Sequence, residues 1–147
     1  MRITRVLHPT DFSRASTLAF ARAVDTARAN RAELTIAHVL PSVVLMAGDG
    51  YVPPRVYDEM ERAHRASATR RLAALAARAR KRGVRARTLL LEGPPWMAIT
   101  RAARARRANV VVMGTHGRSG LAKLFLGSVA ERVIASAPCP VLTVRGR

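Results

Sequence analysis

Short apolar runs closed by proline or glycine alternate along this chain with longer stretches in which apolar positions recur every three or four residues. Ile3 to Thr10 reads as a first strand ended at Pro9, after which Asp11 or Ser13 caps a helix carrying Leu18, Phe20, Ala21, Val24 and Ala27. Leu34 to Leu40 is a second strand, stopped at Pro41. The turn signals Gly48-Asp49-Gly50 and Pro53-Pro54 follow it and are placed to form a lid. From Val56 to Arg82 the spacing of Met60, Leu72 and Leu75 predicts a long Ala- and Arg-rich helix that ends before Gly83. Val84 to Leu91 is a third strand, with Arg85 and Arg87 facing water as on a sheet edge that must resist pairing. Pro94-Pro95 opens a helix in which Trp96, Met97 and Ile99 supply buried bulk and Arg101, Arg104 and Arg107 a solvated stripe. Asn109 to Met113 makes a fourth strand, Gly127 to Ala135 a fourth helix, and Val141 to Val144 a fifth strand after Pro138-Cys139-Pro140.

Strands that alternate with helices pair in parallel through right-handed crossovers. The expected fold is therefore a single α/β domain over residues 1–147, a doubly wound parallel sheet with helices on both faces. Ligands of such sheets sit at the carboxyl ends of the strands, here Pro9-Thr10-Asp11 and Met113-Gly114. The fifth strand carries no charge between Val141 and Val144, so an exposed edge there would be a bare pairing surface. It is expected to pair with another copy of the chain.

Three glycines, Gly114, Gly117 and Gly120, follow the apolar run Val110-Val111-Val112-Met113, and Gly127-Ser128 opens the next helix. Glycine lets backbone N–H groups approach an anion, and a helix N-terminus adds free donors and roughly half a positive charge. The arrangement suits the phosphates of a nucleotide. Ser128 and Glu131 also read as an S-x-x-E capping box. A P-loop would need a Lys-Ser or Lys-Thr pair after its glycines, and a dinucleotide-binding Rossmann domain would place its glycines after the first strand. Neither pattern is present. No Cys, His and carboxylate cluster has metal-ligand spacing, so a metal, Mg²⁺, is expected only on the nucleotide phosphates.

At these residues the chain resembles the universal stress protein family, specifically its ATP-binding branch. The family signature G-x2-G-x9-G-[ST] is matched by Gly114, Gly117, Gly127 and Ser128 without a gap. His8-Pro9-Thr10-Asp11-Phe12-Ser13, Glu92-Gly93-Pro94 and the closing Pro138 to Val144 extend the likeness over essentially the whole chain. The resemblance implies a five-stranded sheet of order 3-2-1-4-5 and a homodimer through the last strand. It implies that Asp11 binds the ribose or adenine side of ATP, with Pro9 and Thr10 shaping that wall and Val39 meeting adenine through its backbone. Met113 and Gly114 would line base and ribose, while Gly117, Gly127, Ser128 and Val129 hold the phosphates. Ala130 departs from members with a hydroxyl there, which removes one phosphate contact. The role implied is a nucleotide-dependent stress-response sensor or adaptor for a client protein, with at most slow ATP hydrolysis or autophosphorylation.

Composition narrows this reading further. An apolar share of 49% supports a core, and no stretch approaches the roughly 18 apolar residues of a membrane span. The N-terminus runs straight into a strand pattern and Cys139 is the lone cysteine, which together point to the cytoplasm. The net charge of +17 would attract nucleic acid as well as nucleotide, and a phosphate-backbone binder is the competing reading. Only 4% of residues are aromatic and Ala-Arg pairs recur along the first three helices, so the charge reads better as compositional. Within the glycine segment Arg118 and Lys123 can neutralise phosphate charge, while His116 lacks a carboxylate neighbour to orient it. His38 reads as a hydrogen-bonded core residue and His64 as surface. The residues offer no catalytic constellation.

Overall fold

The computed structural model describes residues 2–42, 50–115 and 126–145. In chain order the elements are β1 Arg5–Pro9, α1 Arg14–Asn30, β2 Glu33–Val39, α2 Pro54–Lys81, β3 Ala86–Leu91, α3 Pro95–Ala105, β4 Val110–Gly114, α4 Ser128–Ser136 and β5 Val141–Val144. All strands pair in parallel in the order β3-β2-β1-β4-β5, so β1 and β4 lie side by side at the switch in strand order.

Period-two alternation divides the core into two layers. Val6, Leu34, Ile36, Val110 and Val112 turn to the face covered by Phe20, Val24 and Ala27 of α1 and by Leu72, Ala76 and Ala79 of α2. Leu7, Ala37, Val111 and Met113 turn to the opposite face, where Ile99, Ala102 and Ala103 of α3 and Ala130 and Val133 of α4 cover them. The many helix alanines let the helices approach the sheet closely. Met97 does not join them and is 42% exposed, because α3 commits Ala98, Ile99, Ala102 and Ala103 to the sheet and Met97 falls outside that stripe.

Local signals set the helix ends. Ser13 is the cap of α1, accepting from the Ser16 amide through Oγ at 3.2 Å. Pro54 and Pro95 start α2 and α3, where a missing N–H leaves nothing unsatisfied. Gly83, at φ 77°, takes the left-handed turn that stops the long helix. The anticipated Ser128–Glu131 box does not form. Gly127 itself caps α4 without a side-chain bond, its carbonyl accepting from the Glu131 amide at 2.9 Å, and Ser128 is already the first helical residue.

The amino ends of the two central strands are joined by one side chain. Asn109 Oδ1 accepts from the Thr4 amide at 2.8 Å, the Thr4 hydroxyl at 2.9 Å and the Arg5 amide at 2.9 Å. The Arg5 guanidinium donates to the carbonyl of Arg107 at 2.8 Å, just where Arg107 turns left-handed to end the α3 region.

His8 is fully buried in β1. Its Nδ1 donates to the Val112 carbonyl at 2.8 Å, which fixes the tautomer and leaves Nε2 without a proton and without a partner among the described residues. Burial lowers its pKa to about 4, against the opposing pull of the Val112 bond and the Asp11 charge. Above the ordinary imidazole pKa both folded and unfolded chains hold this residue neutral. As the pH falls from about 6.5 toward 4 only the unfolded chain gains the proton, so stability drops by about 3 kcal/mol across that window. Urea denaturation at pH 7.5 and 4.5 should show this loss, and the His8→Leu variant should lose correspondingly less; equal losses in the two proteins would refute the assignment.

Candidate functional site

Several chain segments converge at the carboxyl ends of β1, β2 and β4 and border a cavity of about 410 Å³. That size lies within the range of small-molecule sites. Pro9, Thr10 and Asp11 border it from the end of β1, and Val39 from the end of β2. Met113 and Gly114 border it from β4, and Gly127, Ser128 and Val129 from the start of α4. The structure therefore brings together the described residues that the sequence singles out. Gly117 and Arg118, with His116 and Lys123, lie outside the described residues, as do Gly48 and Asp49 of the anticipated lid.

The β1–α1 turn is held by its own side chains. Thr10 Oγ1 accepts from the Phe12 amide at 3.0 Å and from the Ser16 hydroxyl at 2.7 Å. Asp11 Oδ1 accepts from the Ser13 amide at 2.9 Å, so Asp11 shapes the turn while Ser13 caps the helix. These bonds sustain Phe12 at φ 63°, a left-handed conformation that costs a non-glycine residue about 1 kcal/mol or more. The Phe12 ring lies 4.5 Å from the His38 ring, and the Arg71 guanidinium sits 4.1 Å from its centroid. The turn is thereby clamped between β2 and α2.

His38 does more than fill the core. Its Nδ1 donates to the Thr10 carbonyl at 2.8 Å. The β1–β2 ladder ends with the Thr10 amide on the Ala37 carbonyl at 2.8 Å, and strand alternation turns the Val39 backbone to the same side, beyond that last rung. Val39 thus presents main-chain groups at the cavity wall, a donor and acceptor pair suited to the edge of a heterocycle.

On the other side, Thr115 links two elements. Its amide donates to the Val144 carbonyl at 3.0 Å and its carbonyl accepts from the Gly127 amide at 2.7 Å, which brings the start of α4 to the end of β4. Because the cap is glycine, no side chain caps the first turn, and the amides of Ser128, Val129 and Ala130 lie ahead of the helix's own hydrogen-bond ladder. They form a donor set at the positive end of the helix dipole, suited to phosphate oxygens. Glu131, in the same turn, is exposed.

Ser16, His38, Pro95, Ile99, Thr115 and Ala130 also border the cavity, none of them singled out as ligand contacts by sequence. Pro95 and Ile99 come from the helix after β3, and only the crossover across the sheet brings them here. A larger chamber of about 800 Å³ adjoins at Asp11, His38, Val39 and Pro95, and its wall includes Tyr57, Glu61, His64 and Glu92. His64 is half-buried rather than on the surface, its Nδ1 enclosed and without a partner among the described residues. Arg65 pairs with both Glu61 and Glu92, ties α2 to the end of β3, and has its pKa raised mainly by the Glu92 bond.

The same architecture occurs in solved proteins. A Methanocaldococcus jannaschii protein, MJ0577, superposes with a TM-score of 0.87 at 22% identity, covering 100% of this chain and 99% of that one. A universal stress protein solved in complex with cAMP superposes with a TM-score of 0.72 at 26% identity, covering 100% of both chains. In sequence, universal stress protein YxiE of Bacillus subtilis is 33% identical over 145 residues, 96% of this chain and 98% of the relative. The universal stress protein family profile matches residues 2–145. With the fold, the cavity and the glycine signature in agreement, the chain belongs to the universal stress protein family.

Proposed function

We propose that this cavity binds an adenine nucleotide, ATP carried with Mg²⁺, and that the protein works as a nucleotide-dependent sensor or adaptor in the cytoplasmic stress response. The observation that carries the reading is the glycine-capped start of α4 held beside the ends of β1 and β4, with its first amides at the cavity wall. The first-turn amides of α4 would take the phosphates, Met113 and Gly114 the ribose and base, and the Val39 backbone with Asp11 the adenine side. Gly117 and Arg118 would complete the phosphate cradle. The donor set fits a polyphosphate, and Mg²⁺ would enter on the phosphate oxygens and offset their charge. The cAMP complex of a 26% identical relative supports an adenine ligand.

Calorimetric titration of ATP and GTP into nucleotide-stripped protein, with and without Mg²⁺ at physiological salt, tests this reading. ATP is expected to saturate selectively. Equal weak binding of both nucleotides, abolished by salt, would instead mean that the arginine-rich surface merely attracts anions.

Gly127 sits at φ −62° and ψ 145°, which any residue adopts, so Gly127→Val should fold. Its branched side chain would stand where phosphate lies. Loss of two charge-assisted hydrogen bonds, each worth roughly 1.5–3 kcal/mol, weakens ATP binding by about two to four orders of magnitude. Undiminished affinity in the folded variant would remove the phosphates from this helix.

The homodimer is proposed at β5. This outer strand is free of charge and exposes Leu142 at 41%, a surface that a second copy would cover. Sedimentation should find a dimer, and Leu142→Asp should yield a folded monomer; a monomeric parent protein would exclude this interface.

A further inference from the structure

The sheet has a second outer strand, β3, and its chemistry is the reverse of that of β5. We propose that the open edge of β3 receives an acidic, extended peptide from a partner protein as an added strand, independently of the nucleotide cavity.

The hydrogen bonds of β3 show which groups are on offer. The carbonyls of Arg85 and Leu91 accept from the amides of Leu34 and Leu40, both at 2.8 Å, so the odd-numbered residues direct their main-chain groups toward β2. Alternation then directs those of Ala86, Thr88 and Leu90 outward. The Ala86 carbonyl is covered by the Arg80 guanidinium at 2.8 Å. Among the described residues no main-chain bond reaches the outward groups of Thr88 and Leu90, which leaves a short ladder for one further strand.

A groove of about 430 Å³ runs beside this ladder, between β3 and α3. Leu89, Leu91, Ala98 and Ala102 make its floor, and the exposed Arg101 and Arg106 stand along its α3 side. An extended chain that pairs with Thr88 and Leu90 would drop every second side chain into this groove, the mode in which strand addition gains specificity.

Charge selects the occupant. Arg85 and Arg87 project at the start of the edge, and Arg101 and Arg106 along the groove. Of the nearby carboxylates, Glu33 is paired with Arg87 at 2.9 Å and Glu92 with Arg65. A second copy would set these arginines against their own counterparts, which disfavours self-pairing through β3. An acidic strand with apolar residues at alternate positions meets both the floor and the rim.

The probe is a fluorescent octapeptide, (Glu-Val)4 with capped termini, followed by anisotropy at physiological salt. Binding is expected, and N-methylation of alternate amides on the pairing side should weaken it about 10-fold or more, since methylation leaves the charge intact and removes the strand bonds. The charge reversals Arg101→Glu and Arg106→Glu together should weaken it by at least about 10-fold; both residues are exposed, so the fold should survive. Saturating ATP should leave the affinity unchanged. Equal affinity for the N-methylated peptide would reduce the effect to charge attraction, an undiminished affinity in the double variant would exclude the groove, and displacement by ATP would place the peptide in the nucleotide cavity. Any of these results overturns the proposal.

Discussion

The bond from the Gly127 amide to the Thr115 carbonyl, 2.7 Å long, is the joint on which the site depends. It connects residues twelve positions apart and sets a helix start against the end of a central strand. Thr115 also holds the Val144 carbonyl, so β4, β5 and α4 meet at one residue. Without that meeting point the first-turn amides of α4 would have no fixed relation to the ends of β1 and β2. The sheet supplies the frame, and this joint sets the distance across the cavity.

Much of the architecture was legible because it rests on local pattern. Proline and glycine punctuate each element, and the apolar runs mark strands buried on both faces of a parallel sheet. Strand ends at Pro9-Thr10-Asp11 and Met113-Gly114 follow from the rule for doubly wound sheets, and both border the cavity. Where the reading failed, a distant partner had intervened. Ser128 and Glu131 have the spacing of a capping box, yet the Thr115 carbonyl engages the Gly127 amide and the helix begins one residue earlier than the box requires. Met97 looks apolar enough for the core, but Ile99, Ala102 and Ala103 take the contact with the sheet and Met97 falls outside their stripe. His38 and Thr115 border the cavity through bonds to Thr10 and Gly127, which sequence spacing does not reveal.

The cavity wall near β1 is arranged before any ligand arrives. Four hydroxyl and carboxylate contacts around Thr10, Asp11, Ser13 and Ser16 fix the turn, and the Phe12 ring is packed by His38 and Arg71. The conformational entropy of this loop is therefore lost during folding rather than on binding, which favours affinity. The neutral, buried His8 next in β1 serves the same rigidity by tying β1 to the Val112 carbonyl of β4.

The Asn109 contacts with Thr4 and Arg5 lie at the end of the sheet opposite the cavity. One pole of the molecule is thus committed to cohesion and the other to recognition. Substitutions can accumulate around the rim of the cavity while the knot at the far pole keeps the central strands in register. A lineage carrying this sheet can change what it recognises without first having to relearn how to fold.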